Sequence, residues 1–179
     1  MKITKEKFTD ITEASLDGNT YEACDFSNLK VDYVVLSKVK FIDCNFSNSN
    51  FTDCGLHDCH FKNCNLLGTS LINCTLKNVS ILSCLGSYLN IGDSNLEKTK
   101  FEDSNLKEMR LVNNSIRNTT FNACNMSKLT LSDTRLRGVD LSTCDISGMI
   151  FKPFDVVGCQ VSANQAVEMI KNFGVIVKF

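Results

Sequence analysis

Cys54, His57, Cys59, His60 and Cys64 stand close together and bring the thiolate and imidazole donors of a zinc site. The whole chain holds 10 cysteines and 2 histidines, a density that elsewhere marks a disulfide scaffold, a metal centre or redox chemistry. The positions point another way. All ten, Cys24, Cys44, Cys54, Cys59, Cys64, Cys74, Cys84, Cys124, Cys144 and Cys159, fall on one five-residue phase. Six of them, Cys24, Cys44, Cys64, Cys84, Cys124 and Cys144, recur every 20 residues, with Ser104 in the gap. On that phase the thiols point inward and His57 outward, so the tetrahedral convergence that zinc requires is not expected. Thiols stacked about 4.8 Å apart are within reach of a disulfide, but their parallel Cβ vectors fit a bridge poorly. The expectation is no metal, no cofactor, and a structural column of free cysteines acting as small hydrophobes. Free thiols in turn suggest a reducing, cytoplasmic setting.

The elements that must hold such a column follow from the apolar residues. From Tyr21 to Val161 every fifth residue is apolar, Gly86 alone excepted. A period of five belongs to neither a helix nor a strand, so a short backbone unit must repeat as a solenoid. The 20-residue cysteine period sets four units per turn. One face then carries Tyr21, Phe41, Phe61, Ile81, Phe101, Phe121, Leu141 and Val161; the second carries Phe26, Phe46, Leu66, Gly86, Leu106, Met126 and Ile146. The third carries Val31 to Phe151 and the fourth Leu36 to Val156, at the same interval. Coils should stack at the spacing of parallel β-bridges. The expected organisation is a lead-in or cap over 1–15, a solenoid of about seven coils over 16–161 and a tail over 162–179. Gly86 should leave a small void or bend that Leu85 or Tyr88 could fill. In the tail, Ser162 and Gln165 match a capping box ahead of a helix with Ala166, Met169, Ile170 and Phe173 on one face. Gly174 suits the end of that helix, and residues 175–179 read as a short apolar strand. Met169, Ile170, Phe173, Val175, Val177 and Phe179 exceed what one cap needs, so a homodimer closed by a two-fold tail contact is expected.

Charge excludes some functions. The formal net charge is −1, too little for a global field that draws in nucleic acid. No apolar run is long enough to cross a bilayer, and the start lacks a signal-peptide apolar stretch. No nucleophile–base pair and no phosphate-cradling glycine loop can be placed, so the chain is expected not to be an enzyme. Asp53, Asp93 and Asp133 alternate with Asn73 and Asn113 down one outer column, and Glu97, Glu102 and Asp103 cluster near Glu108. These acids are the candidate partner-binding residues. The alternative is that the column serves turns through side-chain to backbone bonds and that the cluster, interrupted by Lys98, Lys100 and Lys107, is solvated. Lys77, Lys98, Arg117, Arg135 and Arg137 make the fourth face locally basic, but Asp58 and Glu97 interrupt it and no outer aromatic platform accompanies it, so direct nucleic-acid binding is not expected.

Units such as Cys24-Asp25-Phe26-Ser27-Asn28, Cys44-Asn45-Phe46-Ser47-Asn48 and Ser104-Asn105-Leu106-Lys107-Glu108 resemble the pentapeptide-repeat family. The resemblance covers about four-fifths of the chain. It implies an all-β solenoid, a right-handed quadrilateral parallel β-helix with a short C-terminal α-helix and strand. Residues 161–177, with Gln165-Ala166 opening a helix and Gly174-Val175-Ile176-Val177 after it, resemble the tail of the Qnr-type quinolone-resistance and microcin-immunity subfamily. That likeness implies a dimeric rod that binds DNA gyrase or topoisomerase IV by mimicking DNA and protects it from quinolones or a toxin. This chain departs from the subfamily in its near-neutral charge and in an unbroken phase that leaves no room for projecting loops. The alternative is a structural scaffold that binds another protein through a flat face.

Overall fold

The computed structural model describes residues 1–11 and 16–178. The chain winds as a parallel solenoid whose faces are built from three-residue strands. Seven strands, from Lys2–Thr4 to Thr120–Asn122, form the first sheet; the third and fourth faces hold six and five. From Thr20 onward each strand pairs with the one 20 residues along: Tyr21 sits on Phe41, Ile81 on Phe101 and Leu111 on Leu131. Among the described residues the second face has no strand and is held by single bridges from Asp25 through Asn45, Asn65, Leu85, Asn105 and Asn125 to Asp145.

The five-residue unit has a physical cause. The central residue and the one two places before it are buried, while the other three face out. The chain turns each corner with one residue at positive φ, for example Asn48 at 58°, Asp53 at 55° and Asn63 at 54°. Asn, Asp and Gly tolerate this left-handed region best, which explains their enrichment at that place. On the second face the corner is a type II turn, in which the Ser49 amide bonds back to the Phe46 carbonyl and the Leu89 amide to the Gly86 carbonyl. Beyond Ser132 the first and fourth faces adopt this turn too: Val139 bonds back to Leu136 and Cys144 to Leu141. Strands end there while the coiling continues to the Asp140–Gln160 bridge.

Tyr33 takes φ 59° and is 78 % exposed. Tyr33→Asn is expected to raise the unfolding free energy by about 0.5–1 kcal/mol by relieving left-handed strain. Denaturant unfolding checks this, and a loss of stability would count against it.

The stack begins earlier than the five-residue phase. Ile3 pairs with Tyr21, and Lys7 bridges to Asp25, both 18 residues apart instead of 20. Phe8 therefore lies flat on Phe26, ring centres 4.4 Å apart. Lys2, Lys5 and Lys7 occupy this open end, where charge discourages edge-to-edge pairing.

At the other end, helix α1 spans Ala163–Lys171 and carries the capping box: Ser162 Oγ accepts from the Gln165 amide, and Gln165 Oε1 accepts from the Ser162 amide. Gln165 Nε2 also donates to the Leu141 and Cys144 carbonyls, and Asn172 Nδ2 donates to the Met149 carbonyl. These bonds lay the helix across the last coil. The expected closing strand is not formed, for residues 175–178 have no strand structure. A strand needs a neighbour for its amides and carbonyls, and among the described residues no strand pairs with these.

Gly86 is filled from the neighbouring coil. A Cβ at Gly86 would lie 2.9 Å from Leu106 Cδ2, so Leu106 occupies the space. Leu85 and Tyr88, the expected fillers, both point out to solvent.

Candidate functional site

Three groups of side chains could carry function: the thiol column, the outer charged columns and the C-terminal end. The thiols come first because their types suggested chemistry. Every described cysteine is free, and nine of the ten are buried. Eight of the nine buried sulfurs are aimed at backbone carbonyls. Cys44 donates to the Tyr21 and Ile42 carbonyls at 3.4 and 3.3 Å, and Cys84 to the Phe61 and Leu82 carbonyls at 3.6 and 3.3 Å. Ser104 fills the same slot with the same bonds, to the Ile81 and Glu102 carbonyls. Cys64 donates to the Phe41 and Lys62 carbonyls at 3.5 and 3.4 Å, and the neighbouring Cys44 and Cys84 thiols together with burial push its titration up. Burial pushes Cys59 up to about 11. Thiols that serve as donors to carbonyls in a dry core are poor nucleophiles and poor metal ligands. Among the described residues, no group of three or more His, Cys, Asp or Glu side chains converges on a metal position. His57 lies on the outer surface of the fourth face, and His60 bonds to Ser80 Oγ at 2.7 Å on the first.

The outer acidic column forms a ladder. The Asn73 amide donates to Asp53, and the Asn113 amide donates to Asp93 at 2.7 Å. Asp133 is held by Lys152 at 2.9 Å, which keeps its carboxyl below the usual range. All five column residues have positive φ. The expectation that they serve turns through backbone bonds is thus corrected in its partner: the bonds run from side chain to side chain between coils. Nor does the second cluster form one anionic patch. Glu97 pairs with Arg117 at 3.5 Å and Glu108 with Lys128 at 3.8 Å, while Glu102 and Asp103 lie on the first face between Lys100 and Lys107.

The C-terminal end differs in kind. Met169 packs against the core, and Phe173 meets Phe151 edge-on at 5.9 Å. Beyond them Ile170, Phe173, Val175 and Ile176 are exposed, Ile176 to 85 %. Val177 is half-buried, and Phe179 lies outside the described residues. Ile150, Phe154 and Val157 on the last coil are exposed as well, each above 60 % or at it. The five-residue phase gave the signal for Ile150 and Val157, which stand at outward positions; the expected tail set did not include them. Phe154 stands out because the last unit, from Pro153 to Val156, tightens into a 3-10 turn that buries Asp155 and expels the ring against Arg135, 4.3 Å away.

Comparison with known proteins follows this geometry. A family model described as Pentapeptide repeat region matches residues 34–111, and one described as Pentapeptide repeats (8 copies) matches residues 115–148. No curated protein matches the sequence. Among solved structures the chain is similar to a trypsin-treated form of QnrB1, a plasmid-mediated fluoroquinolone resistance protein, at 22% identity, covering 99% of this chain and 98% of that one with a TM-score of 0.40. It is similar to HetL, a pentapeptide repeat protein involved in heterocyst differentiation regulation in the cyanobacterium Nostoc, at 11% identity, with 89% and 84% covered and a TM-score of 0.48. A pentapeptide repeat protein of the Arabidopsis thaliana thylakoid lumen is similar at 13% identity, with 66% and 72% covered and a TM-score of 0.34.

Proposed function

Because this chain belongs to the pentapeptide-repeat family, we propose that it is a non-catalytic interaction rod, paired through its C-terminal end, that docks on a type II topoisomerase in the place of DNA and shields it from quinolones or a gyrase toxin. The observation that carries the proposal is the exposed apolar end, where Ile170, Phe173, Val175 and Ile176 stand in solvent beside unpaired backbone. An apolar set of this kind marks an interface, and a two-fold contact between identical ends closes the assembly. A partner's tail would also supply the missing neighbour for residues 175–178. The choice of topoisomerase rests on the resemblance of residues 161–177 to the Qnr-type tail.

Charge limits how such docking works. A duplex carries about one charge per 1.7 Å of axis. Here the column of Asp53, Asp93 and Asp133 places one carboxylate on every second coil, and amides or Lys152 engage each of them. The rod therefore offers shape more than charge. The mixed charge also favours a second reading, a scaffold that engages a different protein through a flat face.

Gyrase supercoiling with and without a quinolone, titrated with the protein, tests the proposal. The wild type is expected to restore supercoiling in the presence of drug at micromolar dimer. Ile176→Asp is expected to weaken self-association by about tenfold or more in sedimentation and to need correspondingly more protein. No effect of the wild type on drugged or free gyrase sinks the topoisomerase assignment. An Ile176→Asp rod that stays fully dimeric sinks the tail contact.

A further inference from the structure

We infer that the uncharged middle of the second face is a docking surface for a protein segment that is itself uncharged and presents an apolar anchor side chain, seated on Leu67, Leu85 and Tyr88. The inference depends on neither the topoisomerase nor the tail contact.

Three departures from the repeat meet at this point. The first is Leu85. Its column otherwise holds Asp25, Asn45, Asn65, Asn105, Asn125 and Asp145, and each of these caps the backbone amide two residues on, at 2.9–3.3 Å. Leucine has no oxygen to offer the Ser87 amide, and its own side chain is 61 % exposed. The second is Gly86. The adjoining core slot holds no side chain of its own, and Leu106 closes it. The apolar group next to that slot is on the outside. The third is Tyr88, whose φ of 61° is the left-handed corner of a type II turn that suits Asn or Gly. Its ring is 55 % exposed, and Leu67 on the coil below is 42 % exposed. Leu85 gives up a local bond and Tyr88 a favoured conformation, and neither returns packing inside the chain. Local rules broken together without an internal gain are expected where a partner supplies the gain.

The charge pattern names the partner's chemistry. Between Asp25 and Lys107 every outward side chain of this face is uncharged: apart from Leu67, Leu85 and Tyr88 the positions hold Ser, Asn and Gly68. Charges return only at the two ends, with Asp25 at one and Lys107 and Glu108 at the other. A charge-free stretch that holds a tyrosine and two leucines, bordered by Lys107 and Glu108 on the coil next to Leu85 and Tyr88, has the anatomy of a protein interface. A charged partner group placed over Leu67, two coils from Lys107 and Glu108, would lose its water and gain no counter-charge. Nucleic acid would require a row of Lys and Arg that this face lacks.

The test uses the full chain, immobilised, against a displayed random dodecapeptide library, with counter-selection on the double variant Leu85→Asn, Tyr88→Asn. Asparagine at 85 returns the amide cap and asparagine at 88 suits the turn, so the double variant is expected to melt higher than the wild type. Selected peptides are expected to be neutral overall with a Leu, Met or aromatic anchor. They should bind wild type and the Tyr33→Asn control alike and the double variant about tenfold or more weakly. Acidic or basic winners, equal binding to the double variant, or no enrichment would overturn the inference. So would a double variant that melts lower than the wild type. A wild-type species that sediments as larger than the double variant at equal concentration would assign the patch to a second copy, and would overturn it also.

Discussion

Phe46→Ala is expected to lower the unfolding free energy by about 3–5 kcal/mol, toward the upper end of what a buried aromatic loses. The reason is that the surrounding coils have little freedom to collapse. Phe46 lies flat on Phe26 with ring centres 4.8 Å apart, meets Phe41 edge-on at 4.9 Å and Phe61 at 5.5 Å. Those neighbours are locked in register by the parallel ladders that tie Tyr21 to Phe41 and Phe41 to Phe61. Phe46 also borders an apolar void of about 20 Å³ shared with Phe51, Leu66 and Leu89. Truncation therefore enlarges an existing space. The aromatic cluster runs from Phe8 to Phe61, whereas beyond it, among the described residues, only Phe101 and Phe121 stack, at 4.7 Å. Leu131→Ala, in the aliphatic half, is expected to lose less, about 2–3 kcal/mol. Guanidinium unfolding of the two variants decides the matter. A loss at Phe46 no larger than at Leu131 would mean that the coils do relax around the hole.

The repeat was legible because its spacing leaves no alternative: the slots of Cys44, Cys64 and Cys84 can share a wall only if the chain returns every 20 residues, as the ladders do. What depended on one coil meeting the next was less legible. Ile3 and Phe8 join the stack at an offset of 18, which the five-residue phase cannot register. Leu106 fills the space over Gly86 from a residue 20 positions away, and Asn73 reaches Asp53 over the same distance. Asn occurs at the positive-φ corner of every face, so the type II turns of the second face were not separable from the corners of the strand-bearing faces. For the candidate sites, Ser162 and Gln165 announced the helix, since a capping box is a local pattern. The fate of residues 175–178 was not local: their apolar alternation suits a strand, but a strand forms only against a neighbour. Leu85 and Tyr88 stood at outward positions from the start, and only their measured exposure separates them from the fillers they were expected to be.

Cys59 is expected to make the fold lose stability as the pH is raised from 9 to 11. Its thiol is fully buried and donates to the Leu36 and His57 carbonyls, both at 3.4 Å. Burial pushes it up to about 11 from an ordinary 9.0. The unfolded chain therefore gives up this proton first. The stabilisation is complete below about pH 9 and is lost as the pH climbs through 11. Two units correspond to about 2–3 kcal/mol. Burial raises Cys24 and Cys159 in the same direction and adds to the slope. Cys59→Val separates this contribution. Val39 and Val79 occupy the same slot one coil below and one coil above, both buried, so valine fits between them at neutral pH. Denaturant midpoints at pH 7 should be nearly equal for wild type and variant. The fall between pH 9 and 11 should be shallower in the variant by about 2–3 kcal/mol. Parallel curves would show that the Cys59 thiolate finds a partner or water inside the folded rod, and that the carbonyls around the sulfur do not hold it neutral.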